Sequence, residues 1–220
     1  MDGTPKEPND KTAEDIKKWF TTKLSGGVFG WTAPTWFGLF LSEAEELYGK
    51  RDCQWTSLGI EISNGQNETN VCPSKKQVHI RLQSTTLNEH DFTLYNLAHE
   101  TIHVLGPVLK DEVNFLEEGV ATLFALELKH YNDANCCKIM RSQLCADKNN
   151  YRPALEDVES LLRLRRDAIF QLRKTEKYLS RITPSQIVDA VPACTKGIIC
   201  KAACQILLNC GKDNYFSQMN

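Results

Sequence analysis

Two histidines and a glutamate near the middle of the chain have the spacing of a metal site. They are His99, Glu100 and His103, in the pattern H-E-x-x-H. On a helix that turns by about 100° per residue, the two histidines lie roughly 40° apart, so both imidazoles can reach one Zn²⁺. A carboxylate beside them could take a proton from a water molecule bound to that ion. The stretch therefore predicts a zinc site with the groups needed for hydrolysis.

The residues around this stretch predict an amphipathic helix. Residues 86–89 have the form of a capping box, Asp91 is a second N-cap candidate, and Gly106-Pro107 predicts the end of the helix. On the side opposite the two histidines, the helix would present a mostly apolar arc that faces the core. This arc consists of Leu94, Leu97, Ala98, Thr101, Val104 and Leu105.

A catalytic zinc ion needs a third protein ligand. Leu109 occupies the position where metzincins carry a third histidine, which excludes that arrangement. A second, largely apolar helical pattern covers residues 114–125, where a carboxylate would be costly to bury unless it were paired or bound to a metal. Glu118 is the better candidate, because small residues near it let another helix approach closely. Glu117, which projects about 100° away, is the runner-up.

The H-E-x-x-H motif followed by Leu-Glu-Glu-Gly-Val-Ala resembles the gluzincin clan of zinc metallopeptidases, over roughly residues 77–130. The resemblance implies that His99, His103 and Glu118 are the zinc ligands and that Glu100 is the general base. The gap between the motif and Glu118 is shorter than in the large aminopeptidase members, which suggests a minimal member. Thr122 stands where some members carry an aspartate that orients a ligand histidine.

This ligand set predicts the outline of a peptidase mechanism. Zn²⁺ would keep a fourth position for water, and Glu100 would take the proton of that water and pass it to the leaving amine. A donor to the developing oxyanion is also expected. The candidates, which the sequence does not separate, are Tyr95, His130, Tyr131 and Tyr151.

Composition is that of a soluble globular protein, with 41% hydrophobic and 25% charged residues among 220. A net charge of -2 gives no sign of nucleic acid or an anionic membrane as the main partner. The uncharged, aromatic-rich residues 25–42 are better explained by a loop and a helix than by a membrane span. We expect a disordered segment over residues 1–10 and one zincin-like domain over residues 11–220, helical after about residue 132.

The patterning predicts an α+β fold that is mainly helical. Helices are expected over residues 12–24, 34–48, 154–180 and 196–208, with a short helix opened by Thr183. Alternating residues predict strands over residues 55–62 and 77–82, with turn residues between them. We expect these strands to form a small antiparallel sheet that leads directly into the motif helix, with His79 on its outward face.

Nine cysteines bear on the compartment of the protein. Their number is odd and they form no pair of C-x-x-C motifs, which favours buried thiols in a cytoplasmic protein. The alternative is a secreted protein with several disulfides, which the glycosylation-type sequence at Asn67 and the cysteines after position 193 would fit.

Two functions of different classes follow from these patterns. The first is a zinc-dependent peptidase that acts on peptide or protein substrates. The second is a binding or regulatory protein on the same scaffold, with a structural or inactive site. A purely structural site would not need Glu100, so this residue separates the two hypotheses. The substrate, the choice between internal and terminal cleavage, and the oligomeric state stay open.

Overall fold

The computed structural model describes residues 10–21, 24–25, 28–29, 31–146 and 151–191. Of the segment 1–10 that was predicted to be disordered, residues 1–9 lie outside these ranges, and Asp10 begins the first helix. The predicted helix 196–208 also lies outside them. Within them the fold is α+β and mainly helical, as predicted. Its helices are α1 Asp10–Phe20, α2 Ala33–Tyr48, α3 His90–His103, α4 Phe115–Leu126, α5 Cys136–Ala146, α6 Tyr151–Leu164, α7 Ala168–Thr175 and α8 Pro184–Ala190. Its strands are β1 Leu24–Ser25, β2 Val28–Phe29, β3 Thr56–Ser63, β4 Glu68–Cys72 and β5 Gln77–Gln83.

Helix α2 matches its sequence prediction closely. Thr32 and Thr35 form a reciprocal capping box, and Pro34 lies in the first turn, where its missing N–H costs nothing. Gly49 ends the helix with a φ of 94°, a conformation that favours glycine. Helix α1, in contrast, ends at Phe20 and not at residue 24. Two threonines follow Phe20 in the sequence, and β-branched residues have a lower helix propensity.

The three-stranded sheet has the order β3-β5-β4 and is mixed rather than antiparallel. Strand β5 pairs antiparallel with β4 and parallel with β3. The prediction of an antiparallel sheet was wrong because it treated residues 67–73 only as a turn. Strand β4 reverses the chain once more, so β3 and β5 run in the same direction. The predicted inner face of β5 is confirmed, since Val78, Ile80 and Leu82 are buried.

Helix α3 contacts strands β4 and β5 and helices α2 and α4. Its predicted apolar arc is confirmed, because all six residues of that arc are buried. The predicted capping box is wrong: Thr86 lies in a 3-10 turn that precedes the helix, where its hydroxyl donates to Gln83 O. Glu89 precedes the helix without a side-chain cap.

Helix α4 is buried along its whole length. It packs against α6 at Gly119, where a Cβ atom would lie 2.3 Å from Ala154 O. Only glycine lets the two helix backbones come this close. The small residues expected to admit another helix near Glu118 thus include Gly119 itself.

The helix predicted over residues 154–180 is broken between Leu164 and Ala168. Arg165 holds the break, because its guanidinium binds Asp167 at 2.7 Å and Ala190 O at 2.6 Å. Arg173, in the second of these helices, is buried although it carries a charge. Its buried guanidinium donates to main-chain oxygens that follow α2 and α3, which anchors the ends of both helices.

Membrane-spanning character and cysteine pairing can both be assessed in the described residues. No helix among them combines the length and the apolar character needed to cross a bilayer. The cysteines whose side chains are described are free, namely Cys53, Cys72, Cys136 and Cys137. The other five lie outside the described side chains.

Candidate metal centre

Helix α3 places His99 and His103 one turn apart at the floor of a cleft. Both are 8% exposed, and their ring centroids are 5.3 Å apart. The rings of Tyr95 and Tyr151 lie against His99, with centroid distances of 6.3 Å and 5.7 Å. The motif thus has the orientation that its sequence predicted, with both imidazoles turned away from the core.

Glu118 extends from the first turn of α4 towards both imidazoles. One carboxylate oxygen lies 3.2 Å from His99 Nε2, and the other lies 3.9 Å from His103 Nε2. One ligand atom from each of the three residues falls within 4.8 Å of the others. The structure therefore brings together the three residues that the sequence predicted as ligands.

This cluster fits a metal ion. Two ligands at about 2.0–2.1 Å from a tetrahedral zinc ion lie roughly 3.3 Å apart, close to the observed contact between His99 and Glu118. Glu118 Oε2, the oxygen 3.2 Å from His99 Nε2, is buried and makes no hydrogen bond of good geometry among the described residues. A buried carboxylate oxygen without a partner is costly, and a bound cation would satisfy it.

Glu117, the runner-up ligand, lies on the outer side of His103. Its carboxylate accepts a hydrogen bond from His103 Nδ1 at 2.8 Å and another from the Ser180 hydroxyl. The N-cap residue Asn114 fixes the start of this turn by accepting from Glu117 N at 3.0 Å. When the ring is neutral, a carboxylate on Nδ1 selects the tautomer with its lone pair on Nε2, which is how metal-binding histidines are commonly oriented.

His99 has no such support from a carboxylate. Its Nδ1 atom is buried and has no hydrogen-bond partner among the described residues. Packing against Tyr95 and Tyr151 holds this ring instead.

Charges inside the cluster shift two pKa values in opposite directions. Burial alone would lower the pKa of His103, but its hydrogen bond to Glu117 and the nearby charges of Glu118 and Glu100 raise that pKa to about 10. Burial alone would raise the pKa of Glu118, but the nearby His99 ring and the charge of His103 hold it below its usual range. Without a metal, the cluster therefore holds a proton on His103 and a negative charge on Glu118.

No protein-family model, curated protein or solved structure matches this chain. The resemblance to gluzincins therefore stays a prediction that rests on the motif residues.

Glu100 is 7% exposed and is held by a residue that the sequence interpretation missed. Thr69 Oγ1 lies 2.9 Å from Glu100 Oε2 and 3.0 Å from Glu100 O. The main-chain oxygen of Glu100 is near the C-terminal end of α3. It receives no hydrogen bond from Val104 N, which donates to Thr101 O instead. Thr69 was assigned to a turn, and only the pairing of β4 with β5 reveals that it faces the motif helix.

A cleft of about 390 Å³ opens above the cluster. Of the four candidate oxyanion donors, Tyr95 and Tyr151 line it. The other two do not line it: His130 pairs with Glu43 at 3.3 Å, and the Tyr131 hydroxyl donates to Ala125 O.

Of the two tyrosines that line the cleft, Tyr151 has the stronger electrostatic interaction with the metal cluster. The negative charge of Glu118, followed by burial and the charge of Glu100, raises the pKa of Tyr151 far above its usual value. Burial, followed by the charge of Glu118, raises the pKa of Tyr95 to about 12. Both phenols therefore keep their protons at neutral pH and can donate a hydrogen bond.

Proposed function

We propose that this protein is a zinc-dependent peptidase. The observation that carries the proposal is the buried convergence of His99, His103 and Glu118 at the floor of an open cleft, with Glu100 on the same helix. Two imidazoles and one carboxylate are a common ligand set of catalytic zinc sites, and such sites leave a fourth position for water or substrate.

A zinc ion held by these three residues would polarise a substrate carbonyl and bring the pKa of a bound water close to neutrality. Glu118 would supply the negative ligand and balance part of the charge. Glu117 would hold the His103 ring through Nδ1, so that Nε2 points into the site.

Glu100 would accept the proton of the attacking water and later transfer it to the leaving amine. Its carboxylate lines the cleft, and Thr69 holds one of its two oxygens. A carboxylate fixed at one oxygen has a defined direction at the other, which favours proton transfer at a fixed position.

Tyr151 is the better candidate for stabilising the oxyanion. Its ring packs edge-on against His99, and the charge of Glu118 is the main cause of its raised pKa. A neutral phenol near the ligands can donate to an oxygen that becomes negative during attack.

The position of β4 favours a polypeptide substrate. This strand forms one edge of the sheet, and Glu68 and Thr69 line the cleft. An extended peptide can add to a sheet edge through main-chain hydrogen bonds, which would carry its scissile bond across the cluster.

Metal content and Glu100 together test the proposal. The purified protein should contain about one zinc ion per chain, and a chelator should abolish cleavage of a peptide library. Glu100→Gln should keep the zinc and abolish cleavage, whereas the exposed control Glu46→Gln should keep both. Unchanged cleavage by Glu100→Gln would refute the proposed base, and absence of bound zinc would refute the proposed site.

A further inference from the structure

A second depression of about 660 Å³ lies beside the cleft, between the start of α3 and helix α5. Both depressions are lined by Gln83, Phe92, Met140 and Gln143. They are therefore two parts of one groove, which runs along α3 from the candidate metal centre towards the N-terminus of that helix.

The far part of this groove exposes apolar side chains next to amides. Phe92 is 38% exposed and Ile139 is 48% exposed. Both line the second depression, together with the amide side chains of Gln83 and Gln143. Polar side chains make up most of the remaining lining, and three of them are the carboxylates of Glu89, Asp91 and Asp133. Exposed apolar side chains within a depression are typical of a binding surface.

The sheet edge points in the same direction. Asn67 lies just before β4, lines the cleft, and accepts a hydrogen bond from Gln83 N at 2.8 Å. Gln83 in turn lines both depressions. A chain that follows the β4 edge past Asn67 would therefore arrive at Phe92.

The length of α3 sets how many substrate residues this path requires. His99 lies seven residues after Phe92 and ten after Glu89, or roughly 10 to 15 Å along a helix that rises 1.5 Å per residue. An extended peptide advances about 3.3 Å per residue. About three to five substrate residues would thus separate the cleaved bond from the second depression.

We propose that this groove binds an extended stretch of polypeptide, with an apolar side chain three to five residues from the cleaved bond seated against Phe92 and Ile139. This inference rests on the proposed peptidase function and deepens it. It makes the enzyme selective for long, unfolded or flexible segments and not for dipeptides or single terminal residues.

A series of synthetic peptides tests this inference. All would share the two residues on each side of a bond that the enzyme cleaves in a peptide library. One set is lengthened one residue at a time on the amino side, and the other on the carboxyl side. We expect kcat/KM to rise about tenfold when an apolar residue reaches the third to fifth position on one side only, and not when glycine is added there.

Ile139→Ala isolates the second depression, because Ile139 lines it but not the cleft. This variant should bring the kcat/KM of the long peptides down to that of the shortest one. Leu58→Ala is a matched control, since Leu58 is an exposed apolar residue on β3 that lines neither depression. It should keep the full length dependence, and thermal unfolding would show that both variants are folded.

The possible failures can be told apart. Cleavage that depends on Glu100 but not on peptide length, or a gain with length that survives in Ile139→Ala, would overturn the groove alone. If no peptide of any length is cleaved in a Glu100-dependent manner, the peptidase proposal fails and the groove inference fails with it.

Discussion

Replacing Glu117 should weaken zinc binding without removing a ligand. The Glu117 side chain is 2% exposed and bonds to His103 Nδ1 and to Ser180. Its removal leaves Nε2 of His103 available to a metal but frees the ring to turn and to change tautomer. The expected loss is therefore one of orientation and basicity, which differs from the loss of a coordinating atom.

The size of the effect follows from the two bonds. Glu117→Gln keeps the shape and can still accept from Nδ1, but a neutral acceptor makes a bond about half as strong as a charged one. We expect the zinc Kd to rise about tenfold for Glu117→Gln and about a hundredfold for Glu117→Ala. These factors correspond to about 1.4 and 2.8 kcal/mol.

Competition with a chromophoric chelator at fixed pH would measure both dissociation constants. Glu112→Gln is the control, because Glu112 lies in the same connection between α3 and α4 and its side chain is 47% exposed. It should bind zinc as the wild type does. Glu118→Gln should lose more affinity than either Glu117 variant, since it removes a charged ligand.

Two results would refute this reasoning. Wild-type affinity in Glu117→Ala would mean that the hydrogen bond to His103 does not orient the ligand. A loss in Glu117→Gln as large as that in Glu118→Gln would mean that Glu117 itself coordinates the metal, which would reverse the assignment of the two neighbouring glutamates.

Three other measurements bear on the site. Gly119→Ala places a methyl group 2.3 Å from Ala154 O, so urea unfolding should show a loss of about 3 kcal/mol, and a wild-type curve would contradict the close packing of α4 and α6. Thr69→Val should lower kcat about tenfold with little change in KM, whereas Thr69→Ser should keep the activity because it keeps the hydroxyl. Equal kcat values in the two variants would show that the hydroxyl does not position Glu100. The pKa of His103 is raised to about 10 in the folded protein, so protonated His103 stabilises the zinc-free fold. This stabilisation is complete below about pH 6.5 and is lost as the pH rises towards 10. Urea unfolding between pH 6.5 and 10 should show this decline in the wild type and a smaller one in Glu117→Gln, and equal slopes would contradict it.

The sequence was sufficient where one element carries its own signal. The helical period around His99 and the alternation along β5 each identify the residues that face the core, and both of these core faces are confirmed. Glu118 could be preferred over Glu117 because small residues lie near it within two turns of the helix, and the structure does bring Glu118 together with His99 and His103.

The sequence was insufficient where an element depends on distant partners. Strand β4 is short and polar, and it exists because its main chain pairs with β5. Because β4 lies between β3 and β5 along the chain, β3 runs parallel to β5 and not antiparallel to it. Strand β4 also brings Thr69 to Glu100. The orienting role of Glu117 depends on the direction of His103 Nδ1, which no spacing along α4 can specify.

The charge balance of the cluster gives the strongest physical reason to regard it as a site. Glu100, Glu117 and Glu118 are all at most 8% exposed, and they lie around two imidazoles in a region that apolar residues could fill at lower cost. A proton on His103 balances part of this negative charge without a metal, whereas a divalent cation would balance more of it and also satisfy Glu118 Oε2. Zinc binding should therefore displace a proton from His103, so affinity should increase with pH until His103 is deprotonated. The three carboxylates that are costly to bury are the ones that would hold the metal, orient its ligand and accept the proton of water.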